Sequence, residues 1–391
     1  MTTAVRAAVG AGIVTALLGA SAAAAPRRTT VFLDFGGGIV GPGTDASLDQ
    51  AGCVTDPFEF PIFLGSERAS ELAVAEARRI LAPYGVTVVA ERPPDHLPYT
   101  RVRIGGEAGA LGLDPKLNGL ACDVDCDDQF HRDAVFMFSD KWVSSAALAE
   151  LDEDQLAVQV GRISVHEVGH AWGLEHTGGS GSVMARFPST TEPSFVVGCE
   201  LLDLDTDSEC PSSRARHCAA GQQDAHAELL AMFGPGDPDD SPPHAEIVWP
   251  PDGHVVAPGD TVQIEVEVGD DYEGFGWKLE VPQLEWEWVA RQADATPPAL
   301  VIPEGAWTLR LEALDHDRNV GEASVLIEAR VPTEAEDESS TPSAACACRT
   351  DPRPGLGWWA LWMVVAVRGL AFTRRRSSTG GTARPAPRHP A

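Results

Sequence analysis

Apolar residues cluster over Thr29–Phe35 in a short run that predicts a strand, and Gly36-Gly37-Gly38 breaks it. No Gly-Lys-Ser/Thr follows, so the triplet is not a phosphate loop. Ser66–Ala82 predicts a helix. Ser66 is placed to cap it, Glu67 falls in its first turn, Leu72, Ala75, Ile80 and Leu81 supply apolar positions, and Pro83 ends it. Gly85–Ala90, Thr100–Ile104 and Ala134–Phe138 predict further strands. A long helix is expected over Asp152–Trp172, with acidic residues in its first turn. Asp224–Phe233 reads as a closing helix with Ala225, Leu229, Leu230 and Phe233 on one stripe.

The pattern then changes. Residues 235–243 have the composition of a linker. Beyond them come short, partly alternating runs at Ala245–Trp249, Thr261–Val268, Trp277–Val281, Ala299–Ile302, Ala306–Ala313 and Ala323–Ala329. Turns such as Pro251-Asp252-Gly253 separate them, so 244–331 is expected to be an all-β, Ig-like or fibronectin-like sandwich. Trp277, Trp286 and Trp288 fit either core packing or a sugar platform. Residues 1–25 read as a secretory signal peptide: Arg6, an alanine-rich apolar run from Ala7 to Leu18, and A-x-A cleavage candidates at 20–22 and 22–24. An acidic, flexible tether is expected at 332–345 and a disordered C-terminus at 377–391. Between these, 346–376 holds Cys346, Cys348, the apolar run Leu356–Phe372 and Arg374-Arg375-Arg376, which fits a transmembrane helix with its C-terminus inside.

The formal charge of −29 makes nucleic acid an unfavourable partner, because phosphates would be repelled. Six of the eight cysteines lie in the body of the chain: Cys53, Cys122, Cys126, Cys199, Cys210 and Cys218. In an exported protein they suggest up to three disulfides, with connectivity left open. A second zinc site at Cys122-x-x-x-Cys126 is the weaker alternative. The acidic stretch Cys122–Asp128 (Asp123, Asp125, Asp127, Asp128) and the run Asp203-x-Asp205-x-Asp207 each fit structural Ca2+ or a solvated loop.

The densest chemistry is His166-Glu167-Val168-Gly169-His170-Ala171-Trp172-Gly173-Leu174-Glu175-His176. His166 and His170 are four residues apart, so a helix projects both rings from one face. Gly173 lets the chain leave the helix, and His176 can then swing back as a third ligand. Three imidazoles and an open position suit a catalytic Zn2+. Glu167 stands beside that position, where a carboxylate can act as general base.

This long motif, followed by Ser182-Val183-Met184, resembles the metzincin metallopeptidases, with a matrixin-like flavour in Val-Gly-His-Ala-x-Gly-Leu-x-His. The resemblance implies His166, His170 and His176 as zinc ligands, Glu167 as catalytic base and Met184 as the methionine of a turn beneath the metal. It implies an α+β domain over 26–234, with a twisted mixed sheet and an active-site helix. Thr177 and Arg186 stand where astacins would carry Glu and Tyr. The tail resembles the MYXO-CTERM sorting segments of surface proteins.

The expected function is a secreted or surface-displayed zinc metalloendopeptidase that cuts protein or peptide substrates by Glu-assisted attack of zinc-bound water. It is expected to be monomeric and to meet a membrane only through its tail. Phe187 and Phe195 are candidates for the pocket beyond the cut bond, with core packing as their alternative. The competing functional reading is a non-catalytic, zinc-containing surface binding or adhesion protein; a metallohydrolase acting on other bonds is the third.

Overall fold

The computed structural model describes residues 26–140, 151–186, 192–203, 210–290 and 295–331. The chain divides into two compact units, Met1–Thr333 and Glu334–Ala391. The second unit, the signal-like residues 1–25 and the apolar run Leu356–Phe372 lie outside the described residues. Among the described residues, no helix is long and apolar enough to cross a membrane.

The first unit begins with strands β1 (Thr29–Asp34), β2 (Gly38–Pro42), β3 (Gln50–Ala51) and β4 (Phe58–Phe60). Helix α1 (Glu67–Leu81) follows, then β5 (Val86–Val89), β6 (Thr100–Gly105), β7 (Gly119–Ala121) and β8 (Ala134–Phe138). Helix α2 spans Glu153–Ala171. The short pair β9 (Glu200–Leu201) and β10 (Gln222–Gln223) brackets the one-turn helix α3 (Pro211–Arg214), and α4 (Ala225–Phe233) closes the series.

The main sheet has the order β5-β1-β6-β8-β7. Four strands run parallel and β7 runs antiparallel to β8 at the edge. Alternate residues serve two different layers. Val31, Leu33, Val102, Ile104, Val135 and Met137 face α1 and α2. Phe136 and Phe138 pack instead with Val40, Ala46 and Phe60 from the β2–β4 segment. That second layer explains why Arg101 and Arg103 are buried: Arg101 donates to Asp34 Oδ2 at 3.0 and 2.7 Å, and Asp49 pairs with both arginines. The alternating Thr-Arg-Val-Arg-Ile pattern hides this layer, since a polar face usually means water.

Both long helices start as their sequences predict. Ser66 Oγ accepts from Ala69 N, and Asp152 and Gln155 form a reciprocal capping box. The buried stripe of α1 differs from the expected one. Ala69, Ala73, Val74, Ala77, Ile80 and Leu81 are buried, whereas Ala75 is exposed and Leu72 only half-buried. Glu76 is buried too, because Arg162 Nε of α2 donates to it at 2.7 Å and Arg79 Nε at 2.8 Å. Burial alone would raise the Glu76 carboxyl, but those hydrogen bonds outweigh it and hold it below its ordinary value. Arg79 also donates to Pro193 O at 3.1 Å, so the cluster ties α1 and α2 to the segment beside the candidate site.

Residues 244–331 form β11 (His244–Trp249), β12 (His254–Val256), β13 (Thr261–Val262), β14 (Glu265–Gly269), β15 (Gly276–Val281), β16 (Trp286–Val289), β17 (Leu300–Val301), β18 (Gly305–Leu314) and β19 (Val320–Ala329). A five-stranded sheet, β12-β19-β18-β15-β16, shares one core with the pairs β11-β14 and β13-β17. Trp277 is buried in that core, with Trp286 and Trp288 packed against it. The sequence pattern missed β12 and β16 here and β2, β3, β4, β7, β9 and β10 earlier. All are short and depend on a neighbour for their pairing. The β-region meets the N-terminal strand through Arg27–Glu273 at 2.7 Å and Thr30 Oγ1 to His316 Nδ1 at 2.8 Å.

Replacing Glu76 by Gln leaves Arg162 buried beside a neutral amide. We expect a loss of about 3 kcal/mol, read as a lower guanidinium midpoint at pH 7. The folded carboxyl titrates below the unfolded one, so its contribution is present above roughly pH 4.3 and is lost as the pH falls toward the folded value. The wild-type and Glu76→Gln midpoints should therefore converge in acid.

Candidate active site

Helix α2 carries His166 and His170 on one face, and the chain turns back at Gly173, whose φ is +92°. Few other residues adopt that backbone angle. The turn brings His176 against the helix. The three Nε2 atoms form a triangle with edges of 3.1, 3.1 and 3.2 Å. Nitrogens bound at roughly 2.0–2.1 Å around tetrahedral zinc would stand about 3.3 Å apart, so the triangle fits that ion closely.

The outer ring nitrogens fix the tautomers. His166 Nδ1 donates to Val183 O at 2.7 Å and His170 Nδ1 to Leu174 O at 2.7 Å. A carbonyl can only accept, so the inward Nε2 keeps its lone pair. His176 Nδ1 is buried with no hydrogen-bond partner. Burial, then the neighbouring His170, lowers the His166 pKa well below its usual value. Burial, then His176, brings His170 to about 4, and burial followed by Arg186 lowers His176. Neutral rings are the form a metal needs.

The third histidine is held by residues far from the motif. A Cβ on Gly173 would lie 2.5 Å from Cys210 Sγ, and Cys210 is bonded to Cys126. Arg214 donates to Gly173 O at 3.1 Å. Gln223 accepts from Glu175 N at 2.9 Å and donates back to Glu175 O at 3.2 Å. Asp203 N donates to His176 O at 2.9 Å. Arg214 and Gln223 carry no signal in the sequence, and the cysteines signal a disulfide but not their pairing, because each is fixed by a contact across the fold.

Met184 is fully buried. Its sulfur would stand 2.6 Å from a Cβ at Gly169, so the motif's inner glycine leaves room for it. Thr177 N donates to Met184 O at 2.9 Å, and Ser182 Oγ accepts from Met184 N at 3.2 Å. This turn and the third histidine are therefore one hydrogen-bonded unit.

Glu167 lines the same cleft as the three histidines, a cavity of about 550 Å³. It is 8% exposed, and burial pushes its carboxyl up to about 8. The edge strand β7 covers it: a Cβ on Gly119 would come within 2.4 Å of Glu167 Cγ. Gly119 is a site residue that sequence reasoning missed, as one glycine in a loop-rich stretch has no motif around it.

Other expectations resolve differently. Phe195 is buried in the core against Tyr84, with ring centroids 5.8 Å apart, and does not line the cleft. Phe187 lies outside the described residues. The six body cysteines pair as Cys53–Cys122, Cys126–Cys210 and Cys199–Cys218. Cys122 and Cys126 thus join different disulfides and are not shared ligands of a second metal. The acidic stretch splits. Asp123 accepts from Gly52 N, Asp127 pairs with Arg216, and Asp125 and Asp128 gather with Asp133. Asp203 pairs with Arg186 at 3.0 Å, while 204–209 lie outside the described residues.

The family model for matrixin peptidases matches residues 105–201, which include the three histidines, Glu167 and Met184. The match supports a metzincin-type zinc metallopeptidase. No curated protein matches the chain. A solved structure of Clostridium thermocellum CbhA fibronectin(III)-like modules matches 23% of this chain at 17% identity and a TM-score of 0.20. This chain spans 47% of that one, and a likeness so slight carries no argument.

Gly119→Ala should push the Glu167 side chain aside while leaving the histidine triangle intact. We expect peptide hydrolysis to fall about 10²-fold with one zinc per chain retained, checked by activity assay and elemental analysis on the same sample.

Proposed function

We propose that the protein is a zinc-dependent endopeptidase, exported and displayed at a cell surface or released from it. The observation that carries the reading is the Nε2 triangle with an acid beside it in one cleft. Zinc, when bound, would polarise a peptide carbonyl, stabilise the charge that develops on its oxygen and make water acidic. His166, His170 and His176 would hold it.

Glu167 does the proton work. Its carboxylate takes a proton from the attacking water as the water oxygen bonds to the carbonyl carbon. It then delivers that proton to the leaving nitrogen as the carbon–nitrogen bond breaks. Burial raises the Glu167 pKa to about 8, so its carboxylate is a stronger base than one in water.

The cleft suits an extended peptide. Among the described residues strand β7 ends the sheet, and Gly119, Leu120 and Ala121 line the cavity. A substrate strand can pair along that free edge and lay its scissile bond over the histidines, so main-chain hydrogen bonds supply affinity independent of side chains. Leu117 and Val124 add apolar surface for flanking side chains.

Three disulfides fit an oxidising compartment, in keeping with the signal-like residues 1–25 and the cysteine- and arginine-bearing tail at 346–376. The β-region at 244–331 is read as an Ig-like or fibronectin-like spacer between the peptidase and that tail.

Glu167→Ala should lower kcat by about 10²–10⁴-fold on a peptide library while zinc content stays at one per chain. Chelation by 1,10-phenanthroline should abolish cleavage, and added zinc should restore it. Hydrolysis that survives Glu167→Ala would overturn the mechanism, and wild-type protein that holds zinc but cuts no peptide would favour a binding role.

A further inference from the structure

A second acidic group lies away from the cleft. One carboxylate oxygen from each of Asp239, Asp270 and Asp315 comes within 4.8 Å of the other two. The residues arrive from three segments: the linker after α4, the β14–β15 connection and the β18–β19 turn. Asp239 is 9% exposed and Asp315 is 2% exposed.

Hydrogen bonding leaves this group incomplete. Asp315 Oδ1 accepts from Asn319 N at 2.7 Å and its Oδ2 from the Asn319 side-chain amide at 2.8 Å. The same amide donates to Asp239 O at 2.7 Å. Asp239 Oδ1 accepts from Ser241 N at 2.9 Å, but its Oδ2 is buried with no partner. Among the described residues, none of the three carboxylates has an ion-pair partner. The nearby cation, Arg28, is engaged by Asp317 at 2.5 Å and by Asp237 O at 2.6 Å.

We propose that Asp239, Asp270 and Asp315 form a calcium site that pins the linker to the two loops at this end of the β-region. The donors are all hard oxygens, with no histidine or cysteine among them, and irregular loops supply them. Calcium accepts that geometry, whereas magnesium demands a near-regular octahedron and gives up its water reluctantly. An ion would satisfy the orphaned Asp239 oxygen and cancel repulsion that the fold otherwise leaves standing. Burial, with the charges of Asp315 and Asp239 beside it, pushes the Asp270 carboxyl up to about 6, and burial, with Asp317 and Asp239, raises Asp315 despite its hydrogen bonds from Asn319. Arg28 holds the same linker and turn from the β1 side, so the ion would complete a clamp that is half built by hydrogen bonds. This site is independent of the peptidase reading and stands or falls without it.

The test uses the full chain, stripped of metal and reloaded with one equivalent of zinc. Calcium chloride alone is titrated up to ~5 mM, the range of loop-built extracellular sites, and read by calorimetry and thermal melting. We expect saturable binding and a melting midpoint that rises with calcium. Asp270→Asn should weaken calcium affinity about tenfold or more. The same change should raise the calcium-free midpoint, since it removes one of three like charges, so a folded variant is assured by its own readout. Asp239→Asn should repeat the loss of affinity. No saturable uptake by the wild type overturns the proposal. So do equal affinities in both variants, a loss seen with Asp133→Asn instead, or magnesium binding as tightly as calcium.

Discussion

The structure depends on bringing a third imidazole back to a helix that has already ended. His166 and His170 come together from helical spacing alone, but His176 must reverse direction within six residues of His170. Gly173 permits the reversal and does not enforce it. The enforcement comes from the Cys126–Cys210 disulfide pressed against the glycine, from Arg214 on its carbonyl and from Gln223 on Glu175. Each removes freedom that would otherwise have to be lost when a metal binds. The result is three ring nitrogens directed at one point.

The sheet serves that point from the other side. Its parallel strands are covered on both faces, so α2 rests on a rigid floor. Among the described residues its one antiparallel strand, β7, lies at the edge nearest the cleft and closes over Glu167. Placing the acid between strand and helix keeps it from water, which raises its affinity for a proton. The Glu76–Arg162–Arg79 cluster carries the same logic outward, joining both helices to Pro193 at the cleft wall. The histidine triangle, Glu167 and the edge strand β7 are thus mounted on one packed body.

The β-region joins this body through polar contacts at its edge, not through a shared core. Arg27, Arg28 and Thr30, at the start of β1, meet Glu273, Asp317 and His316 from its loops. A junction of hydrogen bonds and charges holds orientation only as well as its charges are balanced. The three neighbouring aspartates are where that balance is left open.

The sequence by itself determined the long helices, their caps, the central strands and the metal-binding pattern. Each of these is written in neighbours along the chain: a serine three residues before the amide it accepts from, two histidines one turn apart, a glycine at the exit. Only the tertiary structure decided that Arg101, Arg103 and Glu76 are buried, that Phe195 belongs to the core, that Gly119 covers the acid, and how the cysteines pair. Those outcomes depend on which distant segment covers a given face. Periodicity along one strand or helix tells a side chain's direction, but never what it will meet there.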